Sequence, residues 1–456
     1  MQRAIPRLLI SAAGSGAGKT TVTAALLAAL CDRGLCVQSL KCGPDYIDPM
    51  FHSHITGRQT YHADPFFLTQ DAMTKLIARV SADADCTILE GAMGYYDGIQ
   101  STSEASAYTV SDWLQTPTLL VLSPQGMGCS AAAVCRGFQT FRTPNFICGI
   151  LLNRVRSGMY SYYKNLLERE TGLPVLGYLP ELPEVQLESR HLGLMTAGEV
   201  ADLDKKIRLL GKTAAETIQL EQLLTLAQNA PPLLKSPKPQ KSAVSFRLGV
   251  ARDKAFCFTY AENLELLEQC GAELVYFSPV EDAALPEELD GLYFCGGYPE
   301  LYLPQLSGNA SFLQSLRRLA KNGIPIWGEC GGFLYLQESM TGADGACYPL
   351  TGLLPGTSHM GKRLCRFGYV TLTAQTDTIL GRAGMTIRAH EFHYADSTEN
   401  GNAFLVQRPG GKCWEAVQSV GRITAGFPHL YFPSNPEVPS NFAAQCQAYR
   451  KERMSC

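Results

Sequence analysis

Apolar residues in the first 200 positions come in short, nearly continuous runs at 8–12, 37–41, 86–90, 118–122, 146–153 and 175–179, separated by stretches with helical periodicity. That alternation predicts a mostly parallel sheet covered on both faces by helices, a doubly wound α/β unit whose ligands collect at the carboxyl ends of the strands. Residues 201–230 read as helical, with Leu209, Leu210, Leu220, Leu223 and Leu224 on apolar faces. Residues 231–242 then hold four prolines among lysines and serines, which predicts an exposed, semi-rigid linker. Beyond it the strand and helix rhythm resumes: a strand at 246–251, an amphipathic helix at 260–270, a strand at 273–277 and an apolar run at 324–327. The organisation expected is a domain at 1–230, a linker at 231–245 and a second α/β domain at 246–456.

Composition changes this picture little. With 46% hydrophobic residues, 18% charged and a net charge of −3, the chain gives no electrostatic reason to bind nucleic acid or an anionic membrane. Sixteen cysteines are scattered without a C-x-x-C pair, so neither a zinc ribbon nor a thioredoxin-like motif is supported. Cys31, Cys86, Cys148 and Cys295 lie in or beside apolar runs, so they are expected to be reduced packing residues. With no signal-like leader and no apolar run of membrane-spanning length, a cytoplasmic setting is expected.

The chemistry sits just after the strands. Ala13-Gly14-Ser15-Gly16-Ala17-Gly18-Lys19-Thr20 joins the first strand to the helical run at 22–30 and reads as a phosphate-binding loop (P-loop), with Ala13 where the full pattern has glycine. Backbone N–H groups and the helix dipole would face a polyphosphate, Lys19 its outer phosphates and Thr20 a magnesium ion. Two further strand ends carry acids: Lys41-Cys42-Gly43-Pro44-Asp45-Tyr46-Ile47-Asp48-Pro49 and Glu90-Gly91-Ala92-Met93-Gly94-Tyr95-Tyr96-Asp97-Gly98. Asp45 and Asp48 read either as turn and cap residues or as ligands, and Glu90 beside a P-loop reads as a magnesium contact. Asn153, at another strand end, could read a purine edge or simply form a turn.

A second centre is Gly328-Glu329-Cys330-Gly331-Gly332, a nucleophile elbow with cysteine in place of serine. A helix N-terminus behind Cys330 is expected to lower its thiol pKa. The base would be one of His359, His390, His393 and His429, and the loop around His429 suits it best. His390 and His393 lack the spacing of a zinc-binding H-E-x-x-H.

Together these motifs, with Ser189-Arg190-His191-Leu192-Gly193-Leu194 and Gly296-Gly297-Tyr298-Pro299-Glu300, carry a resemblance over essentially the whole chain to the cobyrinic acid a,c-diamide synthase family. The resemblance implies a dethiobiotin synthetase-like domain followed by a class I glutamine amidotransferase domain. It implies ATP at Gly14, Gly16, Gly18, Lys19, Thr20, Thr21 and Asn153, and Mg²⁺ at Thr20, Asp45 and Glu90. Tyr46, Asp48 and Asp97 would meet the substrate or its acyl phosphate. Cys330 and His429 would hydrolyse L-glutamine, with Gly297 and Gly331 as oxyanion donors. The partner implied is a corrinoid, either cobyrinic acid or, with the same chemistry, hydrogenobyrinic acid or nickel-sirohydrochlorin; paired subunits are common among dethiobiotin synthetase-like domains, so a homodimer is implied too. The acid usually found two residues after the histidine is Tyr431 here. Rival readings are a P-loop ATPase switch with a degenerate amidotransferase domain and a CTP-forming type of glutamine-dependent synthase.

Overall fold

The structure, a computed structural model, describes residues 2–185, 189–190, 193–194, 200, 202–234, 236–237 and 242–455. His191 and Leu192 of the 189–194 motif lie outside the described residues. The chain divides into two compact units, Met1–Lys238 and Pro239–Cys456.

The first unit is built on strands β1 (Arg7–Ala12), β2 (Val37–Lys41), β3 (Tyr61–His62), β4 (Cys86–Glu90), β5 (Thr118–Leu122), β6 (Ile147–Asn153) and β7 (Val175–Leu179). They form one sheet in the order β3-β2-β4-β1-β5-β6-β7, every neighbouring pair parallel. The central strands β1, β2, β4 and β5 are buried throughout, as runs covered on both faces must be. Helices α1 (Lys19–Asp32) and α2 (Ile47–Thr56) follow β1 and β2, so the P-loop and the 41–48 loop both open at the carboxyl edge. The helical region 201–230 is two helices, Leu203–Thr217 and Leu220–Gln228.

The linker reading needs a correction at its start. Leu233–Leu234 pairs antiparallel with Gln2–Arg3, Leu233 is buried, and Pro231 O accepts from the Arg7 guanidinium at 2.8 Å. Proline at 231 and 232 ends the preceding helix, but it leaves the next two residues free to pair at an edge.

The second unit has a six-stranded sheet in the order β9-β8-β10-β11-β17-β16: β8 (Phe246–Ala251), β9 (Ala272–Phe277), β10 (Gly291–Phe294), β11 (Ile326–Glu329), β16 (Gln418–Val420) and β17 (Ile423–Gly426). All pairs are parallel except the edge strand β16. Beside it lies an antiparallel sheet that the sequence reading did not anticipate, made of β12 (Arg366–Ala374), β13 (Thr386–His393), β14 (Phe404–Gln407), β15 (Cys413–Ala416) and β18 (His429–Leu430), in the order β15-β14-β12-β13-β18. The helix expected at 260–270 is Ala261–Gln269.

No disulfide joins the described cysteines; Cys86 and Cys295 are buried, while Cys31 and Cys148 are only partly so. No described helix is long and apolar enough to cross a membrane.

Candidate functional site

In the first unit the loop from β1 to α1 turns on glycines at positive φ, 77° at Gly16 and 89° at Gly18. A Cβ on Gly18 would lie 2.0 Å from Asn153 Nδ2, so only glycine fits. Asn153 is itself buried and donates Nδ2–H to Ala17 O at 2.9 Å. Its amide thereby braces the loop from the end of β6. Lys19 is buried, with Nζ 3.3 Å from Gly14 O; burial and the neighbouring Lys41 hold its ammonium below the usual range. Gly14 and Thr21 flank these groups on the loop and the first turn of α1.

Thr20 Oγ1 lies 2.9 Å from Glu90 Oε1 and 3.2 Å from Asp48 Oδ2. Lys41 at the end of β2 contacts the same two groups, Asp48 Oδ2 and, at 2.9 Å, Glu90 Oε1. His52 Nε2, from α2, meets Glu90 Oε2 at 2.8 Å. Asp45 is placed differently from its neighbours. Its Oδ1 accepts the backbone N–H groups of Ile47 and Asp48 at 2.8 and 3.2 Å, capping α2, while Oδ2 stands 3.9 Å from Lys41 Nζ. Of the three residues expected at a metal, the structure thus brings Thr20 and Glu90 together and adds Asp48, whereas Asp45 is occupied at the helix start.

Burial alone would lift Glu90, but Lys41 and His52 reverse this and hold it well below the usual carboxylate range. Asp48 goes the other way, raised by burial and by the neighbouring Asp45. Burial would lower Lys41, yet Asp48, Glu90 and Asp45 together keep it firmly protonated. The Thr20 hydroxyl and the carboxyl groups of Asp48 and Glu90 thus bring hard oxygen donors together, the donor type that a divalent ion such as Mg²⁺ takes beside phosphate oxygens. Tyr46 precedes α2, and exposed Asp97 accepts Gly94 N–H at 2.9 Å, its charge acting on Lys19.

In the second unit Cys330 joins β11 to the helix Gly331–Leu336 with φ 46° and ψ −102°, the strained turn of an elbow. Its N–H donates to Gly426 O at 2.8 Å. The expected fall in thiol pKa is not found. Burial pushes the thiol up, the charges of Glu300, Glu329 and Glu391 add to this, and the Gly331 N–H opposes it too weakly. A helix of six residues is too short to reverse the effect of burial. The thiol therefore needs a base.

The candidate base lies in β18, whose His429 stands 3.9 Å from Glu329, the residue before Cys330. His429 is buried, and a Cβ on Gly296 would lie 2.3 Å from its Cε1. Asn263 clamps the backbone around it, donating to Leu430 O at 2.7 Å and accepting Phe432 N–H at 2.8 Å. Burial and His393 hold the imidazole down to about 3, so it is neutral and able to take a proton. Gly297 and Gly331 are adjacent in space, a Cβ on Gly331 falling 3.0 Å from Gly297 N.

The other histidines are placed elsewhere. His359 is exposed, His390 pairs in register with His429, and His393 stacks on Phe427 at 3.8 Å with Nδ1 2.7 Å from Ala395 O. Among the described residues no group of three or more histidine, cysteine and acid side chains is arranged to hold a metal. Tyr431 is buried edge-on to Tyr260 at 5.1 Å. Three groups went unassigned in the sequence reading: Lys41, His52 and Glu329. Charged and titratable residues at or just beyond buried strand ends were the available signal.

Residues 8–194 match the CobQ/CobB/MinD/ParA nucleotide binding domain, and residues 247–436 match the CobB/CobQ-like glutamine amidotransferase domain. The chain is 38% identical over 453 residues to a cobyrinate a,c-diamide synthase of Priestia megaterium, covering 98% of each. It is 38% identical to one of Listeria innocua, covering 95% of this chain and 97% of the relative. A third, of Thermoplasma volcanium, is 35% identical over 98% of this chain and 99% of its own.

Proposed function

The chain belongs to the cobyrinate a,c-diamide synthase family, and from that premise we propose that it amidates the a and c acetate carboxylates of cobyrinic acid through acyl phosphates. It is an ATP-dependent carbon–nitrogen ligase with glutamine as amido donor. The observation that carries the finer reading is the pairing, in one chain, of a P-loop beside an acid cluster with a cysteine elbow beside a neutral histidine.

A carboxylate offers ammonia no usable leaving group, so it must first be activated. The P-loop N–H groups and Lys19 would hold ATP, and the carboxylate oxygen would take its γ-phosphoryl group, releasing ADP. Positioning and charge neutralisation supply most of that step. Mg²⁺ held by Thr20, Glu90 and Asp48 would supply the countercharge for the phosphates. Lys41 touches both Asp48 and Glu90 and would anchor the pair. Asp45, in its capping position, and Tyr46 would shape the substrate side of the 41–48 loop. Asp97, exposed above the P-loop, would steer the incoming ammonia.

At the other centre Cys330 Sγ would attack the glutamine carboxamide while His429 takes the thiol proton. Gly297 and Gly331 N–H groups would receive the oxyanion. His429 would return the proton to the leaving ammonia, and water would then release glutamate from the thioester. The ammonia would displace phosphate from the acyl phosphate.

Cys330→Ala tests this division. It should reduce glutamine-driven amidation at least about 10³-fold and leave ammonium-driven amidation intact. Products read by mass with cobyrinic and hydrogenobyrinic acid as alternative substrates test the corrinoid. A gain of two amides on the metal-free ring alone would reassign the substrate.

A further inference from the structure

Glutamine hydrolysis by a cysteine and a histidine leaves one atom unassigned, the second ring nitrogen of the histidine. Its proton fixes which nitrogen faces the thiol. The position where the family pattern puts an acid holds Tyr431, whose ring packs against Tyr260. A buried carboxylate nevertheless stands beside the imidazole. It comes from β11, on the other side of the nucleophile.

We infer that Glu329, the residue before Cys330, is the positioning acid of this site: its Oε2 accepts the Nδ1 proton of His429 and leaves Nε2 for the thiol. The inference rests on Cys330 and His429 acting as proposed above.

Glu329 Oε2 stands 3.9 Å from His429 Nδ1, and both side chains are almost wholly buried. The carboxylate is held from three sides. Tyr293 O–H donates to Oε2 at 2.8 Å, and Trp327 Nε1–H and Leu430 N–H donate to Oε1, each at 3.1 Å. Oε1 thereby has both in-plane lone pairs engaged. Oε2 has one engaged, and it is the oxygen nearer the imidazole. The Leu430 contact also ties the carboxylate to the peptide next to His429, and Asn263 holds the same segment from the other side. A small rotation of the ring would bring Nδ1 within hydrogen-bond reach, as catalytic pairs commonly tighten only once substrate is bound.

The proton balance is complete without a further group. The thiol proton passes to Nε2 as the sulfur–carbon bond forms, and from Nε2 to the departing ammonia as the carbon–nitrogen bond breaks. The Nδ1 proton stays on the ring throughout, facing Glu329. Burial raises Glu329 to about 7 and lowers His429 to about 3, so above about pH 7 the resting pair is a carboxylate beside a neutral imidazole. The imidazolium formed during attack and the carboxylate stabilise each other. Other titratable groups around the pair are Tyr293, Cys330, His390 and His393, with Glu300 and Glu391 acting on the thiol and Arg366 3.9 Å from Glu391.

Glu329→Gln in the full chain is the test, with Glu329→Asp as the conservative variant. An amide would present N–H to Nδ1 and favour the wrong tautomer. Glutaminase kcat should fall about 100-fold or more with the KM for glutamine within about threefold, and ammonium-driven amidation should be unchanged. The wild-type acid limb of kcat against pH should vanish, leaving a rate that climbs with pH as the thiol ionises unaided. Glu329→Asp should recover at least a tenth of the rate. A glutaminase rate within about fivefold of wild type, or a loss with an unshifted pH profile, overturns the inference. Should Glu329→Gln fail to fold, wild-type chain alkylated at Cys330 decides. A far-downfield imidazole N–H proton resonance, missing in His429→Asn, supports the pair, and its absence refutes it. If instead Cys330→Ala keeps glutamine-driven activity, the glutaminase reading itself fails, which is a separate outcome.

Discussion

Gly296 is where His429 needs room. A Cβ there would lie 2.3 Å from Cε1, and Asn263 fixes the backbone just after the ring, at Leu430 O and Phe432 N–H, so the ring has little room to give way in that direction. Gly296→Ala should therefore lower glutaminase kcat about 100-fold, since misplacing a base by about an ångström suffices, while ammonium-driven synthesis continues. Steady-state kinetics with each nitrogen source checks it. The double glycine was legible in the sequence as a motif, but its use was not: Gly296 yields space to a residue far along the chain. The acids show the same limit. Asp45 and Asp48 straddle the start of α2, and nothing in their spacing says which one caps the helix and which one turns toward Thr20. The capping distances of 2.8 and 3.2 Å settle that in favour of Asp45 as the cap.

At the scale of elements, the six strand runs of the first unit were readable because fully buried parallel strands are written as unbroken apolar text. Two-residue strands such as Tyr61–His62 and Leu233–Leu234 carry no such text. The antiparallel sheet of the second unit did leave a trace: in β12 Val370, Leu372 and Ala374 alternate inward with more accessible neighbours. That period of two was weaker than the α/β rhythm around it. One side chain stitches several elements together without help from an apolar pattern. Arg7 is fully buried and donates to Thr116 Oγ1, Leu114 O, Ile5 O and Pro231 O, tying β1 to the end of the helix Ala107–Leu114 and to the 231–234 segment. Arg7→Ala would strand the buried acceptors Thr116 Oγ1, Leu114 O and Ile5 O and the part-buried Pro231 O, and we expect a loss of about 3 kcal/mol in urea unfolding of the first unit.

Over the whole molecule the second unit concentrates buried titratable groups of opposite tendency. His390, His393 and His429 are held down to about 3, 4 and 3, while Glu329 and Glu391 are held up to about 7 each. As pH falls below about 6.5, the unfolded chain takes protons that the folded histidines refuse, so each histidine destabilises the fold. Between about pH 7 and 4.5 the folded acids take protons that the unfolded chain does not, so each acid stabilises it. At pH 5 these effects are each about 2 kcal/mol and largely cancel. Below about pH 4.5 the acids add nothing more, and stability should fall by about 4 kcal/mol per pH unit until the histidines charge. Urea titrations read by Trp327 and Trp414, with Trp113→Phe removing the first unit's signal, should show a shallow slope from pH 7 to 5 and a steep one beneath.

Cys330 holds a backbone conformation that no side chain favours, with φ 46° and ψ −102°. Glycine would adopt it with less strain, by about 1 kcal/mol or more. Selection for a folded protein and selection for a working one therefore pull in opposite directions at this codon. A lineage that stopped using glutamine would drift toward glycine at 330 and gain stability by doing so. On the role proposed for Cys330, the cysteine stands at this strained position against that pull.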